Sequence, residues 1–137
     1  MPGQVYKMYI GGEWVEGASG QTQDVVNPSS EQSIGRLCMA DVSDLERALS
    51  SAEKGLFVWG KIPVWDRGTI LKDAARLMRE RSASIGRMMT LEHGKTLAES
   101  QMELVRAADF IEWGGEEARR ISSRMFAARD PQANVII

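Results

Sequence analysis

From residue 43 onward apolar positions recur every three or four residues, whereas before residue 41 they fall in short runs bounded by Gly, Pro, Asn and Ser. This change of period separates a β-forming stretch from a helical remainder. In Tyr9-Ile10-Gly11-Gly12-Glu13-Trp14-Val15, β-formers flank a Gly-Gly pair, the pattern of a tight hairpin. Glu16 to Gln23 is rich in Gly, Ser, Thr and Gln and reads as a loop. Asp24-Val25-Val26 then reads as a short strand, turned by Asn27-Pro28-Ser29-Ser30 because the Pro28 ring disfavours helix at the residue before it. Ser33 to Ala40 returns as another strand.

Ser43 with Glu46 has capping-box spacing, and Leu45, Ala48, Leu49, Ala52 and Leu56 form one apolar stripe, which predicts a helix from Ser43 to Phe57. Val58-Trp59-Gly60-Lys61-Ile62-Pro63 is expected to break it, with Pro63 opening the next helix. Ile70, Leu71, Ala74, Ala75, Leu77, Met78, Ile85, Met88 and Met89 then predict a single amphipathic helix, weakened late by Gly86. Arg67, Lys72, Arg76, Arg79 and Arg81 lie largely on its other side. Leu91 to Ser100 reads as the hinge of a helical hairpin. Gly94 suits a left-handed helix end, and Thr96 with Glu99 forms a capping box. Leu97, Met102, Val105, Ala108, Phe110 and Ile111 make a third stripe, interrupted by Gly114 and Gly115 and continued from Glu116 to Ser123. Each glycine costs about 1 kcal/mol relative to alanine inside a helix. Arg129-Asp130-Pro131-Gln132 reads as a turn, and Ala133 to Ile137 as a strand just beginning.

Composition narrows the class without naming an activity. A chain of 137 residues can bury one core, and 43% hydrophobic with 26% charged residues is an ordinary globular balance. The net charge of −2 gives no reason to expect nucleic acid. Arg119, Arg120, Arg124 and Arg129 are interleaved with Glu116, Glu117 and Asp130, a solvated mixed-sign face. A single cysteine, Cys38, excludes an internal disulfide and fits a reducing, cytoplasmic setting. No apolar run approaches the roughly eighteen residues of a spanning helix, and the first residues lack the apolar core of a signal peptide, so no membrane partner is expected.

Few residues offer chemistry. Cys38 sits between Leu37 and Met39 without a neighbouring cation or histidine and reads as an inert strand residue. His93, the one histidine, falls in the last turn before Gly94, where an imidazole complements the negative helix end. No Cys/His cluster suits zinc, and Gly11-Gly12 lacks the spacing of a dinucleotide fingerprint. Trp14, Trp59, Trp65 and Trp113 read as core or interface anchors. From the residues alone the chain is α+β, mainly helical with a small β-ribbon, and no catalytic constellation is present.

In order and spacing, Tyr9-Ile10-Gly11-Gly12-Glu13-Trp14-Val15, Val26-Asn27-Pro28, Ile34-Gly35-Arg36, Phe57 with Trp59, Arg67 with Ile70-Leu71, and Glu92-His93-Gly94-Lys95 resemble the amino-terminal part of the aldehyde dehydrogenase superfamily. Phe110-Ile111-Glu112-Trp113 and Glu116-Glu117-Ala118-Arg119-Arg120 look most like its succinate-semialdehyde dehydrogenase branch. The resemblance implies that residues 1–130 are the amino-terminal helical part of an α/β NAD(P)-binding domain and that 131–137 begin an oligomerisation-domain strand. It implies a homo-oligomeric parent that uses NAD or NADP to oxidise an aldehyde or semialdehyde to a carboxylic acid. There a cysteine thiolate attacks the carbonyl, hydride passes to the nicotinamide, and a glutamate-activated water releases the acyl group. Cys38 and Glu92 do not match that cysteine and glutamate, so neither catalytic nor cofactor-binding residues are expected here, and the fragment alone is expected to be inactive and to self-associate.

The resemblance also implies a structural monovalent cation, held by the backbone carbonyl of Val25 or Val26 and the carboxylate of Glu103, an oxygen-only set suited to a hard cation. Gly114-Gly115 and Ser122-Ser123 depart from the family pattern, where larger apolar or alanine residues are expected at the glycines. The alternative is a short, non-catalytic helical interaction module derived from a dehydrogenase.

Overall fold

The computed structural model describes residues 4–120, 125–127 and 134–136. Strand β1 (Val5–Tyr6) precedes a hairpin of β2 (Met8–Ile10) and β3 (Glu13–Val15). Gly11 and Gly12 both take positive φ, at 65° and 89°, which a two-residue hairpin loop requires and only glycine adopts without strain. The Tyr9 and Trp14 rings pair across it with centroids 5.1 Å apart.

The second sheet is built around β5 (Ser33–Cys38), which pairs antiparallel with β4 (Thr22–Val26) and parallel with β1. β4 therefore starts two residues before Asp24, inside the expected loop. Thr22 and Gln23 lie opposite Cys38 and Leu37, so the neighbouring strand, not local composition, decides their state. β1 has no local signature at all, because two residues form a strand only when a non-local partner supplies the ladder.

Helix α1 (Val42–Lys61) begins earlier and ends later than its apolar stripe predicts. Its capping box is Asp41 with Asp44, not Ser43 with Glu46. Asp41 Oδ1 accepts the Ser43 and Asp44 N–H groups at 2.8 and 3.1 Å, and Asp44 Oδ2 accepts the Asp41 N–H at 3.2 Å. Ser43 is already inside the helix, so the choice between overlapping cap patterns fell to the residue with an extended backbone, Asp41 at φ −109°. The helix passes through Val58-Trp59-Gly60 because one exposed glycine costs only about 1 kcal/mol. It stops at Ile62, which Pro63 holds in an extended conformation at ψ 129°.

The single long helix expected next is two, α2 (Val64–Glu80) and α3 (Ser82–His93), broken at Arg81 with φ −95° and ψ 8°. Both run antiparallel to α4 (Leu97–Glu117): α2 lies along its second half, where Lys72 reaches Glu116, and α3 along its first, where Thr90 meets Ser100. The bend keeps both halves on α4, a tertiary demand invisible in the hydrophobic period. A 3₁₀ turn (Ala118–Arg120) follows.

Gly114 and Gly115 do not interrupt α4. Gly115 is buried against Gly68 of α2, so closely that a Cβ on Gly68 would stand 2.7 Å from the Gly115 carbonyl oxygen. The close backbone approach explains a glycine where bulk was expected. Residues 121–123 of the expected continuation and the turn at 129–132 lie outside the described residues. Beyond them β6 (Met125–Ala127) pairs antiparallel with β7 (Asn134–Ile136); β7 is the strand expected from Ala133, and β6 was not expected.

The core is small: Ala75 and Ala108 are 0% exposed and Leu104 is 5%. The accessible surface is 10500 Å², against about 7,100 Å² for a compact monomer of this mass. Leu45, Leu49, Leu56, Phe57, Phe110 and Trp113 are all exposed. Trp14 and Trp65 are exposed as well, which corrects any placement of them in the core of this chain.

Candidate functional site

The loop between α3 and α4 is where distant segments converge. Gly94 closes α3 in the left-handed region at φ 84°, its N–H bonded to the Thr90 carbonyl. Thr96 opens α4: its Oγ1 accepts the Glu99 N–H at 3.3 Å, and Glu99 Oε2 accepts the Thr96 N–H at 3.1 Å and its hydroxyl at 2.8 Å. These bonds hold the Glu99 carboxyl below its ordinary pKa, chiefly through the Thr96 hydroxyl. Behind the loop, the fully buried Ser100 hydroxyl pairs with Thr90 at 3.0 Å and staples α4 to α3.

The Asn27-Pro28 turn packs onto this loop. Asn27 Oδ1 accepts the Ser29 N–H at 2.9 Å, and the Asn27 carbonyl accepts that of Glu31 at 2.8 Å. Pro28 then lies so close that a Cβ on Gly94 would sit 2.8 Å from its Cγ. Of the two expected cation ligands, Val26 ends β4 beside this turn, and Glu103 lies on the second turn of α4. The Glu103 carboxylate is taken by Lys95, whose Nζ donates to Oε2 and, with a smaller contribution from His93, holds the carboxyl below its ordinary pKa. A monovalent cation at Val26 and Glu103 would share that carboxylate with the Lys95 ammonium.

The remaining candidates stand apart. Cys38 is half-buried on β5. His93 is exposed at the end of α3. Among the described residues no group of three or more His, Cys, Asp or Glu side chains is arranged to hold a metal ion, and no helix is long and apolar enough to cross a membrane. Arg119 stacks over the Trp65 ring at 4.4 Å and Arg120 pairs with Glu117, consistent with a mixed-sign face, while Arg124 and Arg129 lie outside the described residues.

Two open clefts flank α4. One, of about 480 Å³, is lined by Arg106, Asp109, Phe110 and Trp113; the other, of about 420 Å³, by Lys95, Glu99, Met102, Glu103 and Arg106. Arg106 lines both, and nothing in the hydrophobic period singles it out.

Comparison with known proteins agrees with this architecture. Residues 14–137 match the aldehyde dehydrogenase family model. The chain is 37% identical over 129 residues to 4-(hydroxymethyl)benzenesulfonate dehydrogenase of Comamonas testosteroni, covering 94% of the chain and 27% of the relative. It is 38% identical over 112 residues to the NADP(+) succinate-semialdehyde dehydrogenase of Escherichia coli, covering 82% of the chain and 23% of the relative. The crystal structure of an E. coli NADP-dependent enzyme superposes on 97% of the chain and 28% of that enzyme with a TM-score of 0.94 at 32% identity. The chain thus spans about a quarter of the length of the curated relatives it matches, their amino-terminal part. With the family model matched from Trp14 onward and the fold reproduced, the chain belongs to the aldehyde dehydrogenase family.

Proposed function

We propose that this chain is the amino-terminal part of an NAD(P)-dependent dehydrogenase that oxidises an aldehyde carrying a second, acidic group to the carboxylic acid. The observation that carries the reading is the family match over residues 14–137. The acidic group is supported by the names of both curated relatives, one a sulfonate and the other a semialdehyde of a dicarboxylic acid. In the net reaction, aldehyde, water and oxidised nicotinamide give acid, reduced nicotinamide and a proton. The bound nicotinamide supplies the hydride acceptor. Residues 1–130 contribute the helical edge of the cofactor domain, residues 131–137 begin an oligomerisation strand, and the complete protein is a cytoplasmic homo-oligomer.

The reacting groups lie outside this chain on this reading. Cys38, the one thiol, is half-buried on β5, apart from the α3–α4 loop and the clefts along α4. Mixing the 137-residue chain with succinate semialdehyde and either NAD or NADP is therefore expected to yield no reduced cofactor, while the complete polypeptide does. Turnover by the isolated chain would overturn the assignment of the chemistry elsewhere; no turnover by the complete polypeptide would overturn the dehydrogenase reading.

A structural monovalent cation between the Val26 carbonyl and the Glu103 carboxylate belongs to the same proposal. It is supported by the contact of Pro28 with Gly94, which draws β4 toward the start of α4. Replacing sodium and potassium with N-methylglucamine should lower the melting temperature of the complete protein, and Glu103→Gln should abolish that dependence. A melting temperature indifferent to the cation removes the site.

A further inference from the structure

The face of α4 turned away from the bundle carries an unusual combination. Ser100, Leu104, Ala108 and Gly115 are its buried residues, and at 100° per residue Met102, Arg106, Asp109 and Trp113 fall on the opposite side. Phe110 and Trp113 are 72% and 59% exposed, far more than aromatic rings of this size usually are. Along them runs an open groove of about 480 Å³, lined by Arg106, Asp109, Phe110 and Trp113, all on α4. Asp109, the carboxylate that lines it, is already engaged: Arg79 of α2 holds it at 2.6 Å and also holds Glu112 at 2.7 Å. Arg106 makes no ion pair among the described residues.

An apolar-walled cleft with one uncommitted guanidinium is suited to a short carbon chain ending in an anion. The rings cover the methylenes, and the planar fork of arginine matches a carboxylate or sulfonate through two parallel N–H···O bonds. We propose that Arg106 is a specificity-determining residue that binds the distal anionic group of the aldehyde substrate, with Phe110 and Trp113 packing its carbon chain. The inference rests on the dehydrogenase reading and deepens it: the aldehyde end points away from this chain, toward reacting groups contributed by the rest of the polypeptide.

The test uses the complete polypeptide and compares kcat/KM for succinate semialdehyde with that for butanal, which has the same carbon count and no carboxylate. Arg106→Gln is expected to lower the ratio of the two roughly ten- to a hundredfold, mainly through KM for the semialdehyde, the size of one lost charge-assisted pair. Arg106→Lys keeps a point charge without the fork and should retain an intermediate ratio, which a merely structural role of Arg106 would not produce. An unchanged ratio in Arg106→Gln overturns the assignment. If the wild type oxidises butanal as well as it oxidises the semialdehyde, the assignment falls while the dehydrogenase reading stands. If it oxidises neither, the dehydrogenase reading falls and the assignment falls with it.

Discussion

Helices α1 and α4 are nearly equal in length, 20 and 21 residues, and each opens with a complete capping box, yet they are held in opposite ways. α4 buries Ser100, Leu104, Ala108 and Gly115 against α2 and α3. In α1 only Asp44 is buried, and it is a polar anchor: its Oδ2 accepts the Ala18 N–H at 2.9 Å and ties the loop after β3 to the helix start. The apolar stripe of α1 faces outward, with Leu45, Leu49 and Leu56 at 55%, 62% and 71% exposure. Local signals are thus sufficient to start and stop a helix, but burial needs a partner surface, and α1 has little of one in this chain.

Truncating the same residue type on each helix should separate the two most strongly. Leu104→Ala should cost about 2–5 kcal/mol in urea unfolding, because a filled core position becomes a cavity. Leu49→Ala, by contrast, should stay within about 0.5 kcal/mol. Equal losses would show that the α1 stripe is covered in solution.

Next in size is Gly68→Ala. Alanine improves helix propensity by about 1 kcal/mol, yet its Cβ would press on the Gly115 carbonyl oxygen at 2.7 Å. We expect a net loss of about 1–3 kcal/mol from overpacking, and a gain in melting temperature would mean that α2 and α4 stand farther apart.

The caps should separate the helices more finely. Thr96→Ala is expected to cost about 1 kcal/mol and to lower the melting point of the bundle. Asp41→Ala removes a similar cap from α1, but the loss should appear as faster amide exchange within residues 42–61 with little change in that melting point. Association offers a further contrast: the isolated chain should self-associate in light scattering at high concentration, and Leu45→Glu with Leu49→Glu should reduce this by charging the exposed stripe. A clean monomer before substitution would contradict the expectation.

The smallest expected effect is on pH. Asp41, Glu99 and Glu103 are held below their ordinary pKa values by the Ser43 hydroxyl, the Thr96 hydroxyl and Lys95, respectively. Unfolded carboxyls titrate near about 4, so around that pH the unfolded chain binds more protons than the folded one. Their stabilisation is complete above that range and is lost as pH falls through the lower folded values. Glu99 and Glu103 are exposed and Asp41 is half-buried, so the fall should be gentle and reduced by salt. Glu103→Gln should flatten it, and an acid limb unaltered by that substitution would assign it to other carboxyls.

Elements with a local chemical signature were legible. The Gly11-Gly12 hairpin, the Asn27-Pro28 turn, the Gly94 stop and the Thr96-Glu99 cap each depend on residues within a few positions, and the structure places all four as expected. β1, the early start of β4 and the break at Arg81 were not legible, because each is decided by a strand or helix distant in sequence. The same division holds at the candidate site. The Glu92-His93-Gly94-Lys95 motif located the chain within its family, whereas the Lys95 pairing with Glu103 and the position of Arg106 between two clefts required the geometry of α4.

By itself, then, the amino-acid sequence determined the period of each segment, most of its stops and its family, since backbone sterics and capping act over a few residues. Tertiary structure alone decided which apolar faces are buried. It put Gly115 against Gly68, where a close approach of the two backbones outweighs helix propensity. It also left the α1 stripe and the Phe110–Trp113 face exposed, because hydrophobic burial is non-directional until a second surface supplies the contact.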